Sequence, residues 1–163
     1  MKYLAAAALL CGSMALAQSA DPPGFHYWSH DDLQTMTSGL APQMDPQTKL
    51  KSQTIVTQEN HRFLISHREG GGEAEFHETE EDIVYVQSGH ATLIYGGKMV
   101  DSKTTAPGEL RGPGIEGGEK KLLSPGDVVV VPARIPHQFI ADAKDPLNYF
   151  VVKVTEQKSS EKK

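Results

Sequence analysis

The chain predicts an all-β fold, a jelly-roll barrel preceded by one short helix, on three observations. From Thr54 onward the sequence runs in short apolar stretches separated by glycine and proline, the pattern of strands joined by turns. No long helical period interrupts those stretches. Strands are expected near 54–58, 61–68, 73–77, 82–87, 90–96, 127–131, 137–141 and 147–154. About eight antiparallel strands in a domain of this length fit a jelly roll.

The elements follow in order. Residues 1–17 hold one basic residue, Lys2, the apolar run Tyr3 to Leu10, and Ala15-Leu16-Ala17, which has the form of a small-residue cleavage site. They are expected to be a secretory signal peptide cut after Ala17, giving a periplasmic or secreted protein. The run is interrupted by Cys11, Gly12 and Ser13 and is short of the ~20 residues of a membrane span, so no membrane association is expected after cleavage. Leu10 before Cys11 argues against a lipoprotein. Cys11 is the single cysteine, so a mature chain from Gln18 has neither disulfides nor thiol catalysis. Removal of the leader leaves 146 of the 163 residues, enough for one domain with one core. The formal charge of −5 becomes one unit more negative without Lys2. With no basic cluster to set against it, nucleic acid is excluded as a partner.

Residues 18–53 read as a leader to the barrel. Ser29 and Asp32 have the spacing of a capping box, and Trp28 with Leu33 that of a hydrophobic staple. A helix from about His30 to Leu40 should place Leu33, Met36 and Leu40 on one stripe and cover an end or face of the barrel. A functional alternative has His26 or Trp28 lining a pocket. The barrel itself is assigned to 54–155. In its last strand Tyr149, Val151 and Lys153 share one face and Phe150, Val152 and Val154 the other, and one of the two should be core. Gly97 to Leu122 is glycine- and proline-rich and reads as a flap at the rim, from which Glu109 or Arg111 could fold over the mouth. Residues 156–163 read as a disordered tail.

Two segments carry the chemistry. Gly70 to Gly89 contains Glu75, His77 and Asp82, and Gly126 to His137 contains Pro132, Arg134 and His137. Their spacing resembles the two motifs of the cupin superfamily: G, five residues, HxH, three or four residues, E, six residues, G; then G, five residues, PxG, two residues, H, three residues, N. Asp82 precedes Gly89 by six intervening residues, and Gly126, Pro132 and His137 stand at the second motif's spacings. The chain departs from the pattern at Glu75 for the first histidine, Asp82 for glutamate, Arg134 for glycine and Ala141 for asparagine. Glu69 also stands where the leading glycine would be. The resemblance implies a small single-domain cupin with a double-stranded β-helix barrel, a divalent metal (Mn, Fe, Ni or Zn) inside it, and a homodimer.

The residues themselves support a metal site. Residues two apart on a strand face the same way, so Glu75 and His77 can both point inward, and Asp82 and His137 can join them from neighbouring strands. Imidazole nitrogens and carboxylate oxygens together suit a divalent ion. Without an ion, converging carboxylates and imidazoles need other partners or water. Two arrangements are open. Glu75, His77, Asp82 and His137 could all bind the ion, or His77, His137 and Asp82 could bind it while Glu75 acts as a catalytic general base. The resemblance implies the function of a metalloenzyme of oxygenase, lyase, decarboxylase or isomerase type acting on a small polar molecule. The alternative is a binding module without turnover, with or without metal. Glu78 and Glu80 read as solvated turn carboxylates, Glu81 as a register alternative to Asp82, and His61, His67 and His90 as residues outside the site. Arg68 is a candidate partner for a nearby carboxylate or an anionic substrate.

Overall fold

The computed structural model describes residues 21–156. The expected signal peptide with Cys11, and residues 157–163 of the expected tail, lie outside the described residues.

Helix α1 spans His30–Ser38. Its capping box is formed: the Ser29 hydroxyl accepts from the Asp32 N–H at 3.1 Å, and Asp32 accepts from the Ser29 N–H at 2.9 Å. Each side chain thereby satisfies a backbone donor that the helix cannot. The helix ends at Ser38, two residues before the expected Leu40, with Gly39 as its cap, and the chain continues into a 3-10 turn at Ala41–Gln43. Leu40 and Thr37 are buried, Leu33 and Met36 partly so. The expected stripe packs on the second strand.

Among the described residues thirteen strands follow: β1 Leu50–Thr57, β2 His61–Arg68, β3 Ala74–His77, β4 Glu80–Ser88, β5 Ala91–Tyr95, β6 Lys98–Val100, β7 Lys103–Ala106, β8 Glu109–Gly112, β9 Gly114–Glu116, β10 Glu119–Leu123, β11 Val128–Val131, β12 His137–Ala141 and β13 Leu147–Thr155. One antiparallel sheet has the order β1-β2-β13-β4-β11, and the sheet facing it β10-β5-β12-β3-β8-β7. A small β6–β9 ribbon completes the set.

The structure corrects two expectations. The barrel begins at Leu50 rather than Thr54, because Lys51 and Gln53 take the outer face of an edge strand, which needs no apolar residue, and Ser52 on the inner face pairs with the Ser66 hydroxyl at 2.8 Å. Residues 97–122 are not an irregular flap but five short strands. At three to five residues each, they are too short for alternation to show. The glycines that suggested a loop are turn residues, Gly108 and Gly117 having φ of 77° and 68°.

The interior is divided along the strands. Val84, Val86, Leu93, Leu123, Phe139, Leu147, Tyr149 and Val151 form an apolar core. Two residues further along β4, β12 and β13, the same inward face presents Asp82, His137 and Lys153. On the other side of the first sheet, Trp28, Phe63, Phe150 and Tyr85 stack edge and face in sequence, so the leader's Trp28 covers part of that outer face.

Candidate metal centre

Strand register assembles the polar end of the barrel. Glu75 is opposite His137 on β12 and opposite Arg111 on β8. His77 is opposite Glu109, and Asp82 on β4 is opposite Lys153 on β13. Directly opposed residues put their side chains on the same face within contact distance. Five strands from both sheets thus deliver seven titratable side chains to one place. Glu75, His77, Asp82 and His137 were expected there, and Glu109 and Arg111, weighed as residues over the mouth, do reach it. Lys153 was placed on the correct face of its strand but not in the site, although its parity with Tyr149 and Val151 was the signal.

Both imidazoles are oriented by their Nδ1 atoms. His77 Nδ1–H donates to Glu109 Oε2 at 2.7 Å, and His137 Nδ1–H to the Ile135 carbonyl at 3.1 Å. Each acceptor lacks a proton, so each imidazole in its neutral form presents a bare Nε2 to the interior. The Nε2 of His137 is buried and without a partner. The Nε2 of His77 accepts from the Lys153 ammonium at 2.9 Å. That ammonium also donates to both Asp82 oxygens, at 2.7 and 2.9 Å. Asp82 Oδ2 lies 3.6 Å from His77 Nε2 and 3.5 Å from His137 Nε2.

Glu75 faces two guanidinium groups and an imidazole. Arg111 is 3.3 Å away, Arg68 3.7 Å and His77 Nε2 3.6 Å. Burial pushes the Glu75 carboxyl up, but His137, Arg111, Lys153 and Arg68 outweigh it and hold the carboxyl below its ordinary value. Burial opposes Asp82 too, yet the His137 and His77 rings beside it and the Lys153 charge keep it far below the usual carboxylate range. Both carboxylates are ionised and acceptor-only. Arg68 is almost fully buried, and its Nε and Nη1 have no hydrogen-bond partner. Its guanidinium lies where a side chain on residue 72 would be, so any residue larger than Gly72 would have to displace it.

The donor set fits a divalent ion. Glu75, His77 and His137 each offer one ligand atom, all within 4.8 Å of one another, and the unpartnered His137 Nε2 is the buried atom such an ion would satisfy. His77 and His137 also show the outer hydrogen bonds that orient metal-binding imidazoles. A second grouping of His77, Glu80 and Glu109 uses carboxylates already engaged, Glu80 by Arg62 at 2.7 Å and Glu109 by His77 and Arg111.

The remaining candidates lie elsewhere. His67 is buried between Asn148 and Glu69, His90 pairs with Asp145 at the surface, and His61 contacts Asn60. His26 stacks on Trp28 and both line an outer groove that no residue of the metal centre lines. Glu78 is exposed and Glu81 half-buried, while Asp82 holds the inward position.

Space is scarce inside the barrel. The internal cavity beside Glu75, Asp82, His137 and Lys153 measures about 70 Å³, room for about two waters at ~30 Å³ each. A wider open cleft of about 380 Å³, lined by Arg62, Thr79, Glu80, Glu109, Arg111 and Lys153 among others, adjoins it. Lys153 lines both spaces.

No protein-family model matches the chain, and no curated protein matches it by sequence. Solved structures do match by shape. A Bacillus halodurans protein aligns over 86% of this chain and 89% of its own with a TM-score of 0.56 and 10% identity. An uncharacterised Klebsiella pneumoniae protein with a double-stranded β-helix domain aligns over 70% and 84%, with a TM-score of 0.51 and 15% identity. A Thermus thermophilus protein aligns over 69% and 89%, with a TM-score of 0.50 and 18% identity. The fold is the double-stranded β-helix that the two motifs implied.

Proposed function

We propose that this chain, a cupin by fold, holds a divalent ion through Glu75, His77 and His137 and acts on a small polar molecule that enters by the adjoining cleft. The observation that carries the reading is the buried, unpartnered His137 Nε2 facing a second imidazole and an ionised carboxylate. Of the two roles open to Glu75, ligand is the better supported: a carboxylate beside the Arg111 and Arg68 guanidiniums is a weak base.

When bound, the ion supplies charge that stabilises an oxyanion on the molecule. The chain supplies the rest. Arg111 and Arg62 on the cleft wall hold an anionic or polar oxygen of the molecule. Glu109 keeps the proton on His77 Nδ1, which leaves Nε2 bare. The packed core below Val151 and Phe139 keeps bulk water from the ion. The reaction class, lyase or oxygenase, follows from what enters the cleft.

Elemental analysis of the purified protein tests the reading. About one Mn, Fe, Ni or Zn per chain is expected, lost in His77→Ala and His137→Ala. Stoichiometric metal in both variants would sink it. One observation favours a second reading, the binding module without metal: Lys153 already satisfies His77 and Asp82. Ligand binding by a metal-free protein, seen by calorimetry, would select that reading.

The proposal extends to export by residues 1–17 and to a homodimer. Val128 and Val130, 63% and 52% exposed, lie on β11 at the edge of its sheet, an apolar edge suited to pairing. Light scattering on Val128→Glu/Val130→Glu checks this, and an unchanged mass would count against that edge.

A further inference from the structure

We propose that Lys153 is a tethered cation that competes with the metal for this centre, so that the ammonium and the ion exclude each other at His77. The inference rests on the metal reading above and adds to it a residue that neither motif contains.

The argument begins with one lone pair. His77 Nδ1–H is committed to Glu109 at 2.7 Å, so neutral His77 has a single acceptor position, at Nε2. Lys153 Nζ uses it at 2.9 Å. A metal ion ligated by the same nitrogen would sit on the same lone pair at ~2.1 Å. Both cannot be there.

Charge gives the second reason. Glu75, Asp82 and Glu109 are balanced by Arg68, Arg111 and Lys153. Adding a divalent ion with Lys153 in place would leave two uncompensated positive charges in a buried volume, which is costly. Withdrawing Lys153 removes one of them and frees Asp82 to face the ion.

The fold provides for both positions. β13 and β4 pair Lys153 with Asp82 in register, which fixes the inward position without backbone distortion. The same side chain borders the outer cleft, whose walls include Glu80 and Glu109. Lysine's four-carbon stem can carry the ammonium from the first environment to the second. In the absence of metal, the inward position spares Asp82 and His77 the cost of burial without partners.

The test is zinc binding to the full-length mature protein and to Lys153→Met, followed by competition with a chromophoric chelator and by thermal melts with and without zinc. The expected result is zinc affinity at least tenfold higher in Lys153→Met. Its zinc-free Tm should fall below that of the wild type, and zinc should raise that Tm by more than it raises the wild type's. A merely structural lysine would lower Tm without changing zinc affinity, and equal affinities would overturn the inference while leaving the metal reading intact. Binding by the variant and not by the wild type would support the inference and overturn the metal reading. Binding by neither would overturn both. If Lys153→Met does not fold, Asp82→Asn/Lys153→Met compared with Asp82→Asn asks the same question, with the tighter binding expected in the double variant.

Discussion

Lys153 Nζ is held between the two oxygens of Asp82, at 2.7 and 2.9 Å, by strands that set the two residues directly opposite each other. Asp82 is buried and its partner nearly so. Breaking such a pair leaves an uncompensated charge inside the barrel. Asp82→Asn should cost about 3 kcal/mol at neutral pH, within the range for one-sided loss of a buried pair, as read from urea denaturation.

The pH dependence of that cost has a definite sign. The Asp82 carboxyl is held far below its unfolded value, burial opposing and the His137, His77 and Lys153 contacts prevailing. Its contribution is therefore fully present above the unfolded pKa of ~3.9 and is lost as pH falls towards the folded pKa. The stability gap between wild type and Asp82→Asn should shrink below about pH 4. A gap that widened on acidification would contradict the assignment.

Glu109 acts on the ion through His77. Glu109→Leu removes the acceptor from His77 Nδ1 and frees the ring to turn or change tautomer. Zinc affinity should fall by about 10- to 100-fold, the usual cost of losing an outer hydrogen bond to a ligating histidine. Glu109→Gln, whose amide oxygen still accepts, should recover most of it.

Arg134 occupies the motif position where glycine is usual, and its backbone has φ of 67°. The strain is tolerated because its N–H donates to the His77 carbonyl at 2.8 Å and its guanidinium to the Glu78 carbonyl at 2.8 Å. Arg134→Gly should leave stability little changed, relief of strain offsetting a lost surface ion pair. Arg134→Val, β-branched at positive φ, should be less stable than Arg134→Gly by about 1–2 kcal/mol. Equal stabilities would remove the backbone argument.

Gly72 and Arg68 are coupled by space. A methyl group on residue 72 would meet the buried guanidinium, so Gly72→Ala should destabilise by about 1–3 kcal/mol through overpacking. The penalty should shrink when Arg68 is also replaced by methionine, and a double-mutant cycle on the two positions measures it. Additive losses would show that the two residues do not share the space.

Much of the fold was legible because its signals are local. β2 and β12 have the bounds expected of them, and the Ser29–Asp32 cap is formed. The capping box needs only two residues three apart, and a strand with one buried face repeats every second residue. The five strands between Lys98 and Leu123 were not legible. Each is too short to display that repeat, and their glycines serve turns that resemble a loop in composition.

From sequence alone came the barrel, its inward parities and the convergence of Glu75, His77, Asp82 and His137. Each of these follows from motif spacing or the two-residue period of a strand. Only the tertiary structure decided what those residues face: Glu109 behind His77, Arg111 beside Glu75 and Lys153 against Asp82. These partners come from β8 and β13, whose pairing with β3 and β4 is a matter of sheet register between distant segments. The chain's own period says which face a side chain takes, but which strand lies opposite is settled by the packing of the whole barrel.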